Sequence, residues 1–267
     1  MTKKKLHVLV ACEESQAVTK AFLDLNKQSL PFEIEAFSCD ILPSSGGLKK
    51  RHFKTDVFEI IKERGGTNEC GEHLKVPKWD LMVAHPPCTY LAVSGAKWFY
   101  NPADKDKPLE KRGEHPNFPG RRQQQREALE FFKQLFFSDI PFVAIENPVS
   151  VVSSKFQKPN DKVQPWQFGE PFTKTTCLWT RGPIQKGEWS PLPKLKPTKI
   201  VDKGERIVFK SGKSQPKWYS DALVKAKTTE ERRTLRSKTF KGIANAIAVQ
   251  YTDYIAKEIE NGNYKLK

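Results

Sequence analysis

Three short apolar runs limit what this chain can fold into: Leu-His-Val-Leu-Val-Ala at 6–11, Trp-Asp-Leu-Met-Val-Ala at 79–84 and Phe-Val-Ala-Ile at 142–145. Runs this short, apolar and without alternation, are what a strand buried on both faces requires. A sheet covered on both faces carries helices between its strands, and the sequence supplies them. Ala17, Val18, Ala21, Phe22 and Leu25 recur at helical spacing behind Ser15 as N-cap. Residues 57–64 read as a short helix after Asp56, and 121–137 place Ala128, Leu129, Phe132, Leu135 and Phe136 on one face. Residues 32–37 alternate like a further strand. The pattern predicts an α/β fold: a Rossmann-like, mostly parallel sheet with helices on both faces. A chain of 267 residues is long enough for one such core and a smaller lobe.

In open sheets of this kind the ligand binds beyond the carboxyl ends of the strands. Those ends carry Cys12-Glu13-Glu14, Asp40, Cys88 behind Pro86-Pro87, and Glu146-Asn147. Carboxylates and a candidate cysteine nucleophile therefore converge on one rim. No Gly-x-Gly-x-x-Gly follows the first run and no Gly-x-x-x-x-Gly-Lys-[Ser/Thr] occurs, which argues against a dinucleotide or nucleoside-triphosphate phosphate loop. The five cysteines form no Cys-x-x-Cys pair, so neither a metal site nor a disulfide framework is expected. No apolar run approaches the roughly 20 residues of a membrane span, and the apolar stretch at the start stops at Glu13, too soon for a signal peptide. The expectation is a cytoplasmic protein with no membrane partner.

The charge is uneven. Residues 1–183 hold 27 Lys+Arg against 22 Asp+Glu, a surplus of 5, whereas 184–267 hold 19 against 9, a surplus of 10. Prolines 191, 193, 197 and 216 break the basic stretch, and Trp189, Phe209, Trp218 and Tyr219 are interleaved with it. This predicts a catalytic core over 1–183, a small basic lobe over 184–235 and a C-terminal helix returning to the core over 236–267. A polyanion is the expected partner of the lobe.

Pro86-Pro87-Cys88 and Glu146-Asn147-Pro148, each closing a strand, resemble the cytosine-C5 DNA methyltransferases of the short phage and prophage type. The longer strings at 80–91 (Asp-Leu-Met-Val-Ala-His-Pro-Pro-Cys-Thr-Tyr-Leu), 164–169 and 173–179 are similar to the phage group. The likeness runs from about residue 6 to 182 and resumes over 236–250. It implies transfer of a methyl group from S-adenosylmethionine to carbon 5 of a cytosine flipped out of double-stranded DNA, in a bacterial host cell. The chemistry accounts for the residue types. Carbon 5 becomes nucleophilic only after something adds to carbon 6, to which a thiolate such as that of Cys88 is suited. Addition is assisted by an acid at ring nitrogen 3, the role expected of Glu146, with Asn147 holding the loop and Lys174 or Thr176 touching the base.

The resemblance also implies a cofactor site: Ala11, Cys12 and Glu13 in the first loop, Asp40 and Ile41 after the second strand, Asp56, Pro86, and Asn245 within Ala244-Asn245-Ala246. Asp56 reads equally as the N-cap of the helix that follows. The first loop departs from the family, which expects Phe-x-Gly-x-Gly where this chain has Ala-Cys-Glu-Glu-Ser. Ser94 stands six residues after Cys88 where the family has a serine four after, and 94–121 reads as a mobile loop that closes over an extruded base. Ser94, Lys97, Arg121 and Arg122 are its expected DNA contacts, joined by Arg232, Arg233 and Arg236 on a helix begun near residue 229. The same chemistry would serve RNA or a free cytosine nucleotide, and a catalytically inactive nucleic-acid-binding protein on this fold is the reading from another class.

Overall fold

The computed structural model describes residues 3–185, 187–228, 231, 235, 237 and 239–267. The strands β1 (Lys5–Ala11), β2 (Glu33–Asp40) and β3 (His52–Lys54) alternate with helices α1 (Ala17–Asp24) and α2 (Val57–Glu63). A small hairpin, β4 (Gly65–Thr67) and β5 (His73–Lys75), precedes β6 (Leu81–Ala84). Then come α3 (Arg121–Phe136), β7 (Phe142–Pro148), α4 (Val152–Lys155), β8 (Asp161–Val163) and β9 (Thr176–Arg181). The basic stretch contributes β10 (Arg206–Val208), β11 (Ser214–Pro216) and α5 (Lys217–Lys225), and α6 (Lys241–Glu260) closes the chain.

Seven strands form one sheet in the order β3-β2-β1-β6-β7-β9-β8. All neighbours are parallel except the pairs made by β9, which runs antiparallel to β7 and β8. The expected Rossmann-like α/β sheet is what the chain builds. Side chains leave a strand alternately to its two faces, and here they feed two cores. Leu6, Val8 and Val10 join Val18 and Phe22 of α1 and Ile247 and Tyr251 of α6 on one side. Leu9 and Ala11 join Ile60 of α2 and Phe132 and Phe136 of α3 on the other. The three apolar runs are fully buried because both faces are covered. The second strand is longer than its alternation suggests, running on through Ser38-Cys39-Asp40, where Ser38 is buried by bonding Gln16 and His52.

Not all of the basic stretch leaves the core. Leu192 and Leu195 are buried with α6, and the backbone there is tied down by Thr180, Asp161 and Gln250. The β10–β11 hairpin and α5 follow, joined to the rest through Trp218, which packs edge-on to Phe172 and Phe240. Among the described residues no helix is long and apolar enough to cross a membrane.

At the amino end of the sheet a buried carboxylate locks the C-terminal segment. Asp80 accepts hydrogen bonds from the His7 backbone N–H (2.8 Å) and the Tyr264 hydroxyl (2.6 Å), with the Lys78 ammonium 3.1 Å away. Against burial, the His7 imidazole, whose Nδ1 is 3.5 Å from Oδ2, and these partners hold its carboxyl below the usual carboxylate range. Replacing Asp80 by Ala is expected to cost about 3 kcal/mol, since it strands the buried His7 N–H and removes the acceptor of the Tyr264 hydroxyl and the counter-charge of Lys78, which keeps its bonds to that hydroxyl and to the Lys265 carbonyl. A depressed folded-state value means that the contribution is complete above the unfolded value of about 3.9 and is lost as pH falls toward the folded one. The gap between wild-type and Asp80→Ala urea midpoints should therefore be constant near neutrality and close below about pH 4.

Candidate active site

The carboxyl ends of β1, β6 and β7 meet where the strand order reverses, and a cavity of about 550 Å³ opens there, a volume ordinary for small-molecule sites. Its floor is built by adjacent strand ends. The last ladder bond of β6 runs from the His85 N–H to the Ala11 carbonyl (2.9 Å). Pro86 and Pro87 have no N–H to continue the ladder, so the chain leaves the sheet. The Cys88 carbonyl then accepts from the N–H groups of Leu91 and Ala92, closing a turn. Asn147 donates from Nδ2 to the Pro86 carbonyl at 2.9 Å, a buried link that holds this turn against the end of β7. Cys88, Glu146 and Asn147 consequently line one cavity together with His85, Lys174, Thr175 and Ser94.

The titratable groups of the floor act on one another. Nδ1 of His85 stands 3.3 Å from Oε2 of Glu146, both side chains being largely buried. Burial alone would raise the Glu146 carboxyl, but His85 and Lys174 outweigh it and hold the group below its usual range. The imidazole is raised above its usual range against its own desolvation, by Glu146 and more weakly by Glu13, with Lys174 opposing. The Cys88 thiol is pushed up by burial first and by Glu146 second, with Lys174 again opposing. The floor thus holds Glu146 toward its carboxylate and Cys88 toward its thiol. His85 is absent from the sequence-based site because it reads there as the end of a strand. The signal was its place between an apolar run and Pro-Pro, where a polar ring must point at the rim.

The remaining predicted residues divide by location. Cys12 and Glu13 line the cavity with Glu14, Ser15 and Ser45. Glu13, however, has its carboxylate turned to the start of α1, accepting from the Val18 and Thr19 N–H groups and the Thr19 hydroxyl. It is the side-chain cap of that helix, the role expected of Ser15, while Gln16 sits at the N-cap position in a left-handed conformation. Ala11 is buried beneath, and Pro86 is buried but lines the cavity. Asp40 and Asp56 stand near Cys12, and they and the exposed Ile41 lie outside the cavity lining. Burial raises the Asp40 carboxyl, and Asp56 caps α2 through the Phe58 N–H (2.8 Å). Thr176 is buried on β9 behind the cavity, in a small void shared with Glu146 and Lys174. Asn245 lies exposed on α6 and is not brought to the cavity.

The 94–121 segment is built around rings, not open. Trp98, His115 and Phe118 cluster at 5.0–5.4 Å between centroids. The Arg121 guanidinium lies over Tyr90, Phe99 and Phe118 and donates to the Thr89 carbonyl. Arg122 stacks on Tyr100, and Lys97 on Trp98. Arg121 and Arg122 thus fasten the segment to α3. Arg232, Arg233 and Arg236 lie outside the described residues. The far wall of the cavity comes from the basic stretch, as Gln215, Pro216, Trp218, Tyr219 and Thr239, none of which the sequence marked as site residues.

No family model matches the chain, and no curated protein does. Among solved structures it is similar to a protein provisionally assigned as a DNA modification methyltransferase encoded within an E. coli prophage, at 15% identity and a TM-score of 0.38 over 76% of this chain. The chain spans 58% of that protein's length, and so loose a superposition assigns neither family nor activity.

The electrostatics of the floor can be checked without any substrate. Glu146→Gln removes a charge that raises the Cys88 thiol, and Lys174→Met removes one that lowers it. Alkylation of Cys88 by iodoacetamide at pH 8, followed by peptide mass spectrometry, should be faster in the first variant and slower in the second, each by roughly 3- to 10-fold.

Proposed function

We propose that this chain is a DNA cytosine-C5 methyltransferase working through a covalent Cys88 adduct. One observation carries the reading: the Asn147–Pro86 link sets Cys88 and Glu146 on the floor of one cavity, at the end of adjacent parallel strands. A cytosine ring between them would meet sulfur at carbon 6 and a carboxyl group at the nitrogen 3 and amino edge. Lys174 favours the thiolate as the reaction begins. The base must leave its stack to reach this floor, with Trp218 and Tyr219 as the wall against which it would lie.

S-adenosylmethionine, when bound, supplies an electrophilic methyl group. The residues fit such a group. The cavity runs without a break from Cys88 to Glu14, Ser15 and Ser45. Glu14 lines that end and Asp40 stands just outside the lining, both carboxyls raised by burial, and the two acidic groups suit a cation. The Cys12–Ser15 backbone and Glu14 would hold its amino-acid part, and Asp40 its ribose.

The β10–β11 hairpin is the natural contact for duplex DNA. It exposes Arg206, Lys210 and Lys213 beside Val208 and Phe209, and its second strand runs directly into the cavity wall at Gln215 and Pro216. A two-stranded ribbon of this width enters a major groove.

Two measurements test the proposal. A duplex containing 5-fluorocytosine should trap the wild type covalently in the presence of S-adenosylmethionine, because fluorine at carbon 5 cannot leave as a proton, and Cys88→Ala should abolish trapping. Trapping that survives the substitution, or label appearing in RNA or dCMP but not DNA, overturns the reading. Replacing Arg206, Lys210 and Lys213 by Ser should flatten the dependence of log affinity on log salt by about 0.9 for each phosphate no longer neutralised. Cofactor affinity, read by calorimetry, should not change.

A further inference from the structure

Resting on that reading, we propose that His85 is a positioning residue that acts through Glu146, aiming its carboxylate into the cavity and lending it the proton that ring nitrogen 3 receives. The geometry is built for this. The His85 backbone is fixed by its bond to Ala11 and by the proline that follows, and Nδ1 faces Oε2 of Glu146 at 3.3 Å. Nε2 is buried without a hydrogen-bond partner among the described residues, so Glu146 is the one side-chain acceptor the structure gives the ring. Glu146 rests ionised and has no proton of its own to give. A neighbouring imidazolium does.

The step balances. The Nδ1 proton passes to the carboxylate, leaving a neutral imidazole protonated at Nε2. The carboxylic acid passes its proton to ring nitrogen 3 as the Cys88 thiolate, its own proton already lost to solvent, forms its bond to carbon 6, and the electron pair of the 5,6 double bond becomes the 4,5 double bond of a neutral enamine. Once carbon 5 carries its methyl group, loss of the carbon 5 proton to solvent re-forms the 5,6 double bond and expels the Cys88 thiolate, and the nitrogen 3 proton returns through Glu146 to His85. The groups facing the imidazole are Glu146 on β7, Glu13 after β1 and Lys174 before β9, with Cys88 on the same loop. The two carboxylates favour the imidazolium and Lys174 opposes it. Because the Cys88 thiol, itself raised, gives up its proton at higher pH than the imidazolium does, activity should rise with pH and then level off as the imidazolium is lost, each further gain in thiolate being offset by a loss of imidazolium.

The test measures kcat and KM for methyl transfer to duplex DNA between about pH 5.5 and 9. His85→Gln keeps an N–H donor near Glu146 but has no proton to release. The expected result is kcat lower by about 10²-fold, KM for DNA unchanged within about twofold, and loss of the plateau, so that the variant's activity keeps rising with Cys88 ionisation across the range. A purely structural pair would instead give wild type and variant profiles of the same shape, and that result, or a variant with wild-type kcat, overturns the proposal. Should the variant not fold, the wild-type profile decides, since a curve that rises through the range without levelling is equally fatal. A wild type that neither transfers methyl groups nor is trapped by 5-fluorocytosine overturns the underlying reading and this inference with it. An active wild type with an indifferent His85→Gln overturns this inference alone.

Discussion

The hydrogen bond from the Asn147 amide to the Pro86 carbonyl is the contact on which the site depends. Two successive prolines free the chain from the sheet after Ala84, but they also leave a buried carbonyl that needs a donor. Asn147, 61 residues further on, supplies it at 2.9 Å. The ladder has ended by that point, because the two prolyl nitrogens have no N–H with which to continue it. One side chain thus compensates for the break in β6 and fixes where the turn holding Cys88 lies relative to Glu146. The neighbouring residues of the two strands inherit that geometry: His85 meets Glu146 because Pro86 meets Asn147.

The floor that results is a balance of charges that no member could sustain alone. Desolvation opposes every ionised group in it. His85 and Lys174 hold the Glu146 carboxyl low against burial, and Glu146 with Glu13 holds the imidazole high against its own. Cys88 bears the cost, since the carboxylate that steadies the imidazole raises the thiol. A neutral ring entering between Cys88 and Glu146 would separate these charges and displace water. The same contacts that hold the resting state quiet would then favour proton movement.

How much of this was legible in the sequence follows from which forces are local. The strands at 6–11, 79–84 and 142–145 and the helix at 121–137 were readable because burial on both faces leaves a direct mark on the sequence. That Cys88 and Glu146 stand together at strand ends was readable because strand ends can be counted. Contacts between segments distant in sequence were not. Nothing local says that Glu13 turns from the cavity to cap α1, or that Asn245 faces outward on α6. Nor does spacing reveal that Arg121, which reads as a phosphate contact, is enclosed by Tyr90, Phe99 and Phe118. The boundary of the basic lobe is blurred for the same reason, because Leu192 and Leu195 belong energetically to the sheet although their neighbours are prolines and lysines.

The first loop shows how a geometric requirement can be met without the expected residue. A glycine there would permit positive φ at no steric cost. Here Cys12 and Gln16 adopt φ of 57° and 58° instead, a conformation that costs each of order 1–3 kcal/mol unless its surroundings impose it. They do impose it. Gln16 is buried, donating to Ser38 and the Leu48 carbonyl and accepting from the Leu48 N–H, while Glu13 gathers three donors at the start of α1. The close approach that a glycine would allow has moved to the facing loop. A Cβ on Gly46 would fall on the Ser15 carbonyl and the Gln16 side chain, so only hydrogen fits between the two loops. The Ser45 N–H meanwhile bonds the Glu14 carbonyl at 2.8 Å. The loop is therefore held from outside, by a glycine about 30 residues away, and the wall it gives the cavity is as fixed as one built on glycines of its own.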